Sequence, residues 1–383
     1  MEKTLLHKGS VKDVYEINDG VMFDFSNRYS IYDWGKMPNL IEKKGLSLSL
    51  TGMAFFDWLG KPANWKGIEV PERTLYRSSA IEQIKLLQSK GLRHHAQYLC
   101  DENGEKKISG TLTKSFFVDP VEVIKPDYED GKYDYSFYET APTNTLVPLE
   151  VIFRFGMPKG SSLAKRAAHP KYVERLGITA DDIKEGAEFD FPVIEFSTKL
   201  EHRDRYITYE EAQRIAGLHD DEFRLILNRT QLLALKLKSF FKDIDVELWD
   251  GKFEFAFCSN DDLTTRDIML VDSIGPDELR LTHQGIQLSK EVLRQIYHRI
   301  HPEWIKALEN SKKLAKERKT REWKKICVEE LKITPKELSK EQANLISHMY
   351  QSLCNAIANA AWKKEPFKGV PSLSEIVGQI KDI

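Results

Sequence analysis

Cysteine is scarce in this sequence: there are four in 383 residues, Cys100, Cys258, Cys327 and Cys354. None sits at CxxC spacing, so neither a thiolate zinc site nor a disulfide framework is indicated, and a reduced, cytoplasmic protein fits. Long apolar runs are missing too. None approaches the ~20 residues a membrane-crossing helix needs, so no membrane partner is expected. The N-terminus, MEKTLLHKGSVKDVY, breaks its apolar stretch almost at once, and a signal peptide is not expected. An excess of one charge sign is absent, with 57 Lys and Arg against 59 Asp and Glu, net −2. Bulk charge therefore gives no attraction for a polyanion. No internal repeat or low-complexity linker appears, which argues against a solenoid. What remains is an ordinary globular balance, 41% hydrophobic and 30% charged, long enough for two or three packed units.

The pattern predicts α+β architecture. Leu5 to Lys8 and Val11 to Ile17 flank Gly9-Ser10 as a hairpin, and Asn18-Asp19-Gly20 turns the chain into Val21 to Phe25. Residues 46–59 read as a buried helix. Ser79 to Ser89 reads as a second, with Ile81, Ile84 and Leu87 on one face. TLVPLEVIFRF, Thr145 to Phe155, is an apolar strand interrupted by Pro148. Thr208 with Glu211 makes a capping box, and Asp220 to Phe241 is a long amphipathic helix. Asp245 to Trp249 and Lys252 to Cys258 read as a hairpin, followed by Ile268 to Val271. From about Ser289 the chain is predicted wholly helical, with Thr334-Pro335-Lys336-Glu337 as a second capping box. The expected division is 1–147 β-rich, 148–288 α+β and 289–383 a helical extension packed on the second of these.

Five segments carry residue types suited to chemistry. In HKGSVKDVY, His7 to Tyr15, a glycine turn brings backbone N–H groups and Lys12 toward a phosphate. SNRYSIYDWGKMPNLIEKKG gathers Arg28, Ser30, Asp33, Lys36 and Lys44 in one polar loop. RFGMPKGSSLAKR, Arg154 to Arg166, offers the hydroxyls, amides and guanidinium forks a phosphate monoester needs. FSTKLEHRD holds Lys199 five residues before Asp204. In DGKFEF, strand alternation puts Asp250, Lys252 and Glu254 on one face and Phe253 and Phe255 on the other. Asp272 opens VDSIGPDELR, and with Glu254 it makes two carboxylates on neighbouring strands, a set that suits magnesium. Singly, each segment also reads as an ordinary solvated loop or strand. Two further features read as surface: the His298/His301 pair, which lacks a supporting ligand, and Lys312 to Lys325, eight basic residues against two acidic, without a nucleic-acid recognition motif.

In their order these segments resemble the phosphoribosylaminoimidazole-succinocarboxamide synthase (SAICAR synthetase) family. GSVKDVY, NRYSIYD with KKG, VPLEVIFR with GSSLAKR, TKLEHRD, DGKFEF and DSIGPDELR match its motifs across residues 5 to about 285. Departures are Asn27 for an aspartate, Ser273 for an acidic residue, Leu279 for a serine and an insertion before Ser162. The 101–143 segment and the C-terminal extension exceed the compact bacterial form.

The resemblance implies a cradle related to ATP-grasp proteins and protein kinases. It implies ATP and Mg²⁺ as cofactors and carboxyaminoimidazole ribonucleotide and L-aspartate as substrates. By it, Gly9, Ser10, Val11, Lys12, Leu146, Val147, Glu150, Lys199, Asp250 and Lys252 would face the nucleotide. Lys12, Lys199 and Asp204 would be catalytic, and Glu254 and Asp272 would hold the metal. Arg28, Ser30, Asp33, Arg154, Ser162 and Arg280 would bind substrate, with Leu279 costing that pocket a hydroxyl. The alternatives are a ligase for another amine or ribonucleotide carboxylate, a small-molecule kinase on the same cradle, and a non-catalytic nucleotide- or RNA-binding module. A homo-oligomer is left open.

Overall fold

The computed structural model describes residues 3–17, 20–158, 161, 163–168, 170–179, 182–260 and 266–381. Contacts group the chain into two compact units that interleave in sequence. One comprises Met1–Thr51, Tyr98–Phe117 and His283–Ile383, the other Gly52–Gln97 and Val118–Thr282. This differs from the three consecutive segments expected, because the N-terminal strands and C-terminal helices belong to one unit.

The first unit carries a five-stranded sheet in the order Lys3–Lys8, Lys12–Ile17, Gly20–Phe25, Ser115–Val118, Ala96–Cys100. Gly9 makes its first turn: the Gly9 amide donates to the Lys12 carbonyl at 3.0 Å, and a Cβ on Gly9 would lie 2.5 Å from that oxygen. Only glycine fits so close an approach. Ile17, Met22 and Cys100 pack with Tyr15, Tyr98 and Phe117 against one another.

The C-terminal helices span Glu291–Ile300, Pro302–Glu317, Lys340–Trp362 and Leu373–Lys381. The expected capping box at Thr334 is not used; residues 332–339 are not helical. Their backbone groups are taken by tertiary partners: the Lys336 amide donates to His301 Nδ1, the Leu338 amide to Asn39 Oδ1, and Tyr297 OH to the Lys336 carbonyl. The helix starts after Ser339, whose capping box with Gln342 is complete. The basic run is also engaged, with Lys312 paired to Asp33 at 3.0 Å.

The second unit is built on antiparallel strands in the order Tyr206–Ile207, Glu188–Thr198, Leu149–Gly156, Glu247–Ser259, Leu279–His283. Arg266–Val271 and Thr145–Leu146 pair with the far half of Glu247–Ser259. The expected turn at Asp250-Gly251 does not form. One 13-residue strand runs through it, with a register shift between Leu248 and Asp250. Gly251 permits this: a Cβ there would lie 2.5 Å from Leu279 and 2.8 Å from the Phe153 ring, so strands cross closely where a side chain would force them apart. Asp220–Lys242 packs on the sheet with Phe223, Ile226, Leu227, Leu233 and Leu237 buried. In Arg77–Lys90 the buried face is Ala80, Ile84 and Leu87, and Ile81 is exposed instead. All four cysteines are free and buried. Among the described residues, no helix is long and apolar enough to cross a membrane.

Candidate functional site

Strand alternation puts chemistry on one face of the second unit's sheet. Along Leu149–Gly156 the polar face carries Glu150 and Arg154, along Glu188–Thr198 it carries Glu195 and Ser197, and along Glu247–Ser259 it carries Asp250, Lys252 and Glu254. The register sets Ser197 opposite Glu150 and Asp250 between Arg154 and Arg280. Phe253 and Phe255 point into the core, as the alternation predicts.

Two charge clusters result. In the first, Lys199 Nζ donates to Glu254 Oε1 at 2.6 Å and lies 3.6 Å from Glu150. Lys252 donates to Glu150 and, at 3.2 Å, to Glu254. Ser197 Oγ donates to Glu150 at 3.1 Å. Burial would strip the Lys252 proton, but Glu254 and Glu150 outweigh it and hold the ammonium charged. Two lysines thus balance two glutamates, and none of the four is an orphaned charge.

The second cluster centres on Glu195, only 2% exposed. It accepts from Arg154 Nε, from Arg166 Nε at 2.8 Å and Nη2 at 3.0 Å, and from Tyr172 OH. Burial alone would raise its pKa, but Arg154 and Arg166 overcome this and hold the carboxyl below the usual range. Arg154 also donates to Asp250 at 3.3 Å and to Tyr206 at 3.2 Å. The Arg280 Nε lies 3.5 Å from the same Asp250 oxygen, and its Nη1 is buried without a hydrogen-bond partner among the described residues. Arg154 and Arg280, 126 positions apart, therefore converge on one carboxylate. Leu279 faces the opposite way, onto Gly251 and Phe153. It removes no donor from the polar side, contrary to the expectation. Ser162 lies outside the described residues.

Asp272 follows Val271, which pairs with Glu254. It is one of the non-glycine residues with positive φ, +66°, a conformation that needs support. His95, buried, donates Nε2–H to the Asp272 carbonyl at 3.1 Å. Glu254 and Asp272 supply hard carboxylate oxygens on adjacent register positions. Their chemistry is of the hard-oxygen kind a magnesium ion takes, with one or two protein carboxylates and its remaining positions for water and phosphate oxygens. Among the described residues no larger group of metal-ligating side chains forms. At Leu146 and Val147 the backbone amides are spent on the Glu122 and Phe255 carbonyls at 2.8 and 2.9 Å. Asp204 is exposed on the loop after Lys199.

The remaining predicted residues lie in the first unit. Gly9 and Lys12 form the glycine turn, and the Val11 carbonyl accepts from Ser26 Oγ at 2.7 Å. Ser10 is exposed. The Lys12 ammonium lies 4.4 Å over the Phe23 ring. Arg28 donates to the Gly9 carbonyl at 3.0 Å and pairs with Asp13. It lines an open cavity of about 570 Å³ with Ser26, Asn27, Lys43 and Lys114. Ser30 accepts from the Gly35 amide at 3.1 Å. The sequence pattern did not single out Glu195, Tyr172 or Tyr206, and it marked Arg166 only as the end of a basic segment; the alternation FPVIEFS, with one acid in an apolar strand, was the available signal for Glu195.

The SAICAR synthetase family model matches residues 5–97 and 137–311. A provisionally named phosphoribosylaminoimidazole-succinocarboxamide synthase of Archaeoglobus fulgidus is 32% identical over 98% of this chain and 99% of its own. The synthase of that name from Thermoplasma volcanium is 28% identical over 80% of this chain and 88% of its own. In fold, a solved SAICAR synthase matches with TM-score 0.56 at 20% identity, covering 94% of this chain and 97% of that one. The Saccharomyces cerevisiae SAICAR synthase solved with SAICAR matches with TM-score 0.53 at 21% identity, covering 94% and 97%. With the family model matching most of the chain and a relative 32% identical along nearly its whole length, the chain belongs to the SAICAR synthetase family.

Proposed function

We propose that this protein joins L-aspartate to the carboxylate of carboxyaminoimidazole ribonucleotide, converting ATP to ADP and phosphate and giving SAICAR. The observation that carries the reading is the Glu150–Lys199–Lys252–Glu254 cluster beside Arg154, Asp250 and Arg280 on one sheet face. A carboxylate resists amine attack, so its oxygen first attacks the γ-phosphorus, releasing ADP and forming an acyl phosphate. The aspartate amine then attacks the acyl carbon, expels phosphate and loses its proton. No protein nucleophile is needed; what is needed is charge stabilisation on the transferring phosphoryl group.

The balanced cluster suits that demand. Its ion pairs preorganise Lys199 and Lys252, and an arriving triphosphate would compete with Glu150 and Glu254 for both ammonium groups. Glu254 and Asp272 would hold Mg²⁺, which supplies charge neutralisation on the phosphates. Lys12 serves as a second phosphate clamp from the glycine turn, with Gly9, Ser10 and Val11. In this reading Leu146, Val147 and Asp250 would serve the nucleoside, and Arg28, Ser30, Asp33 and Asp204 would serve the imidazole and aspartate. Four free thiols suit a reducing compartment, and we place the reaction in the cytoplasm. The test is ADP release with the carboxylated ribonucleotide and a panel of amino acids. Turnover should require aspartate; turnover with another amine, or ADP release without any, would replace the reading with a related ligase or a kinase.

The ribonucleotide phosphate is assigned to Arg154, Ser162 and Arg280, with the unpartnered Arg280 Nη1 as the donor waiting for an oxygen. Charge-assisted bonds are worth ~1.5–3 kcal/mol each. Arg280→Ala should therefore weaken the ribonucleotide by more than about tenfold, roughly 1.4 kcal/mol, with little effect on ATP. Arg280→Lys should recover only part, because lysine keeps the charge and loses the fork. Isothermal titration with the ribonucleotide decides it, and unchanged affinity in Arg280→Ala removes the residue from the site.

A further inference from the structure

Residues 98–136 fall between the two stretches the family model matches. Within them, Asp127–Glu129 and Lys132–Asp134 form a two-stranded hairpin with Tyr128 opposite Tyr133. Its turn, Asp130-Gly131, has φ of +48° and +82°, the left-handed pair that closes a tight hairpin. A two-stranded hairpin is marginal alone, so its partners matter.

Those partners are in the loop that carries Lys199 and Asp204. Tyr133 OH lies 2.6 Å from His202 Nδ1. The same oxygen accepts the His202 backbone N–H at 2.9 Å, so its proton is directed to the ring nitrogen. The Tyr128 ring meets the His202 ring edge-on at 5.6 Å. Just past the hairpin, Tyr135, buried, donates to Glu201 Oε1 at 3.1 Å. Glu201 in turn holds Arg205 at 3.0 Å, and Arg205 reaches Glu211 at 2.9 Å. The loop's two ends are pinned independently, by the Lys199 amide on the Pro148 carbonyl and the Thr198 amide on the Arg205 carbonyl. Between them, residues 199–203 are bends with no ladder of their own. The two tyrosines supply what a ladder would.

We propose that Tyr133 and Tyr135, contributed by a segment outside the family-matched residues, are positioning residues. They hold the Leu200–Arg205 loop so that Asp204 is presented to substrate. The inference rests on the ligase reading for its kinetic consequence, but the anchoring itself does not. Neither tyrosine touches the reacting atoms, so the effect should appear in turnover and not in ATP binding.

The test uses Tyr133→Phe, Tyr135→Phe and the double variant in the full chain, with hydrogen exchange, melting and steady-state kinetics. Phenylalanine keeps the ring packing and deletes only the hydroxyls. Exchange at amides 200–204 should rise in each variant while the melting temperature falls by only a few degrees. Loss of the three hydrogen bonds these hydroxyls make should lower kcat of the double variant by about tenfold, with KM for ATP nearly unchanged. Unchanged exchange overturns the proposal, and so does raised exchange with wild-type kcat. If wild type fails to ligate aspartate, the ligase reading falls, while the exchange arm, run without substrate, still decides the anchoring.

Discussion

Glu254→Gln and Asp272→Asn should each abolish ligation while the chain keeps its fold. Glu254 sits between two ammonium groups, at 2.6 Å from Lys199 and 3.2 Å from Lys252. The amide keeps the shape and removes the charge, so both lysines must share Glu150 and the hard oxygen for magnesium is gone. Asp272 is constrained differently. Its backbone is held at positive φ by His95, and asparagine tolerates that conformation, so Asp272→Asn tests the carboxylate with little backbone cost. Losing a metal ligand at a phosphoryl-transfer site should lower turnover by roughly a thousandfold or more. Circular dichroism verifies the fold, and ADP release at saturating magnesium reads the activity. Near wild-type turnover in either variant would remove the pair as the metal set.

Glu195→Gln should produce the largest loss of stability. The wild-type carboxylate is buried and satisfies two guanidinium groups and a tyrosine hydroxyl. Glutamine leaves Arg154, 4% exposed, with Asp250 as its remaining anionic partner. Breaking one side of a buried pair typically costs ~3–5 kcal/mol, read as a shift of the urea midpoint at unchanged slope. The pH dependence has a definite sign. Because the Glu195 pKa is lowered in the folded chain, its stabilisation is fully present above the unfolded carboxyl value of about 4.3. It is lost as pH falls through the lower folded value. The gap between wild type and Glu195→Gln should therefore be constant near neutrality and narrow below about pH 4. A gap that stayed constant into acid would mean the carboxylate charge is not what the cluster uses.

Several features were determined by sequence alone, because they depend on local periodicity. Alternation in DGKFEF assigns Asp250, Lys252 and Glu254 to one face whatever the sheet order, since successive Cβ atoms of a strand point to opposite sides. Gly9 marks its turn because no other residue fits the approach to the Lys12 carbonyl. Other features depend on which chain segment arrives opposite, and local pattern is silent about that. Thr334-Pro335-Lys336-Glu337 has every mark of a helix start, yet His301 and Asn39, from elsewhere in the chain, take the amides at 336 and 338. Asp250-Gly251 reads as a turn, but the absent Cβ serves a close crossing by Phe153 and Leu279. Glu195 looks like an isolated acid in an apolar strand until register brings Arg154 beside it and a loop returns Arg166 and Tyr172. The types of residue able to do the chemistry were legible in one dimension; which charges neutralise which was decided only when the strands paired.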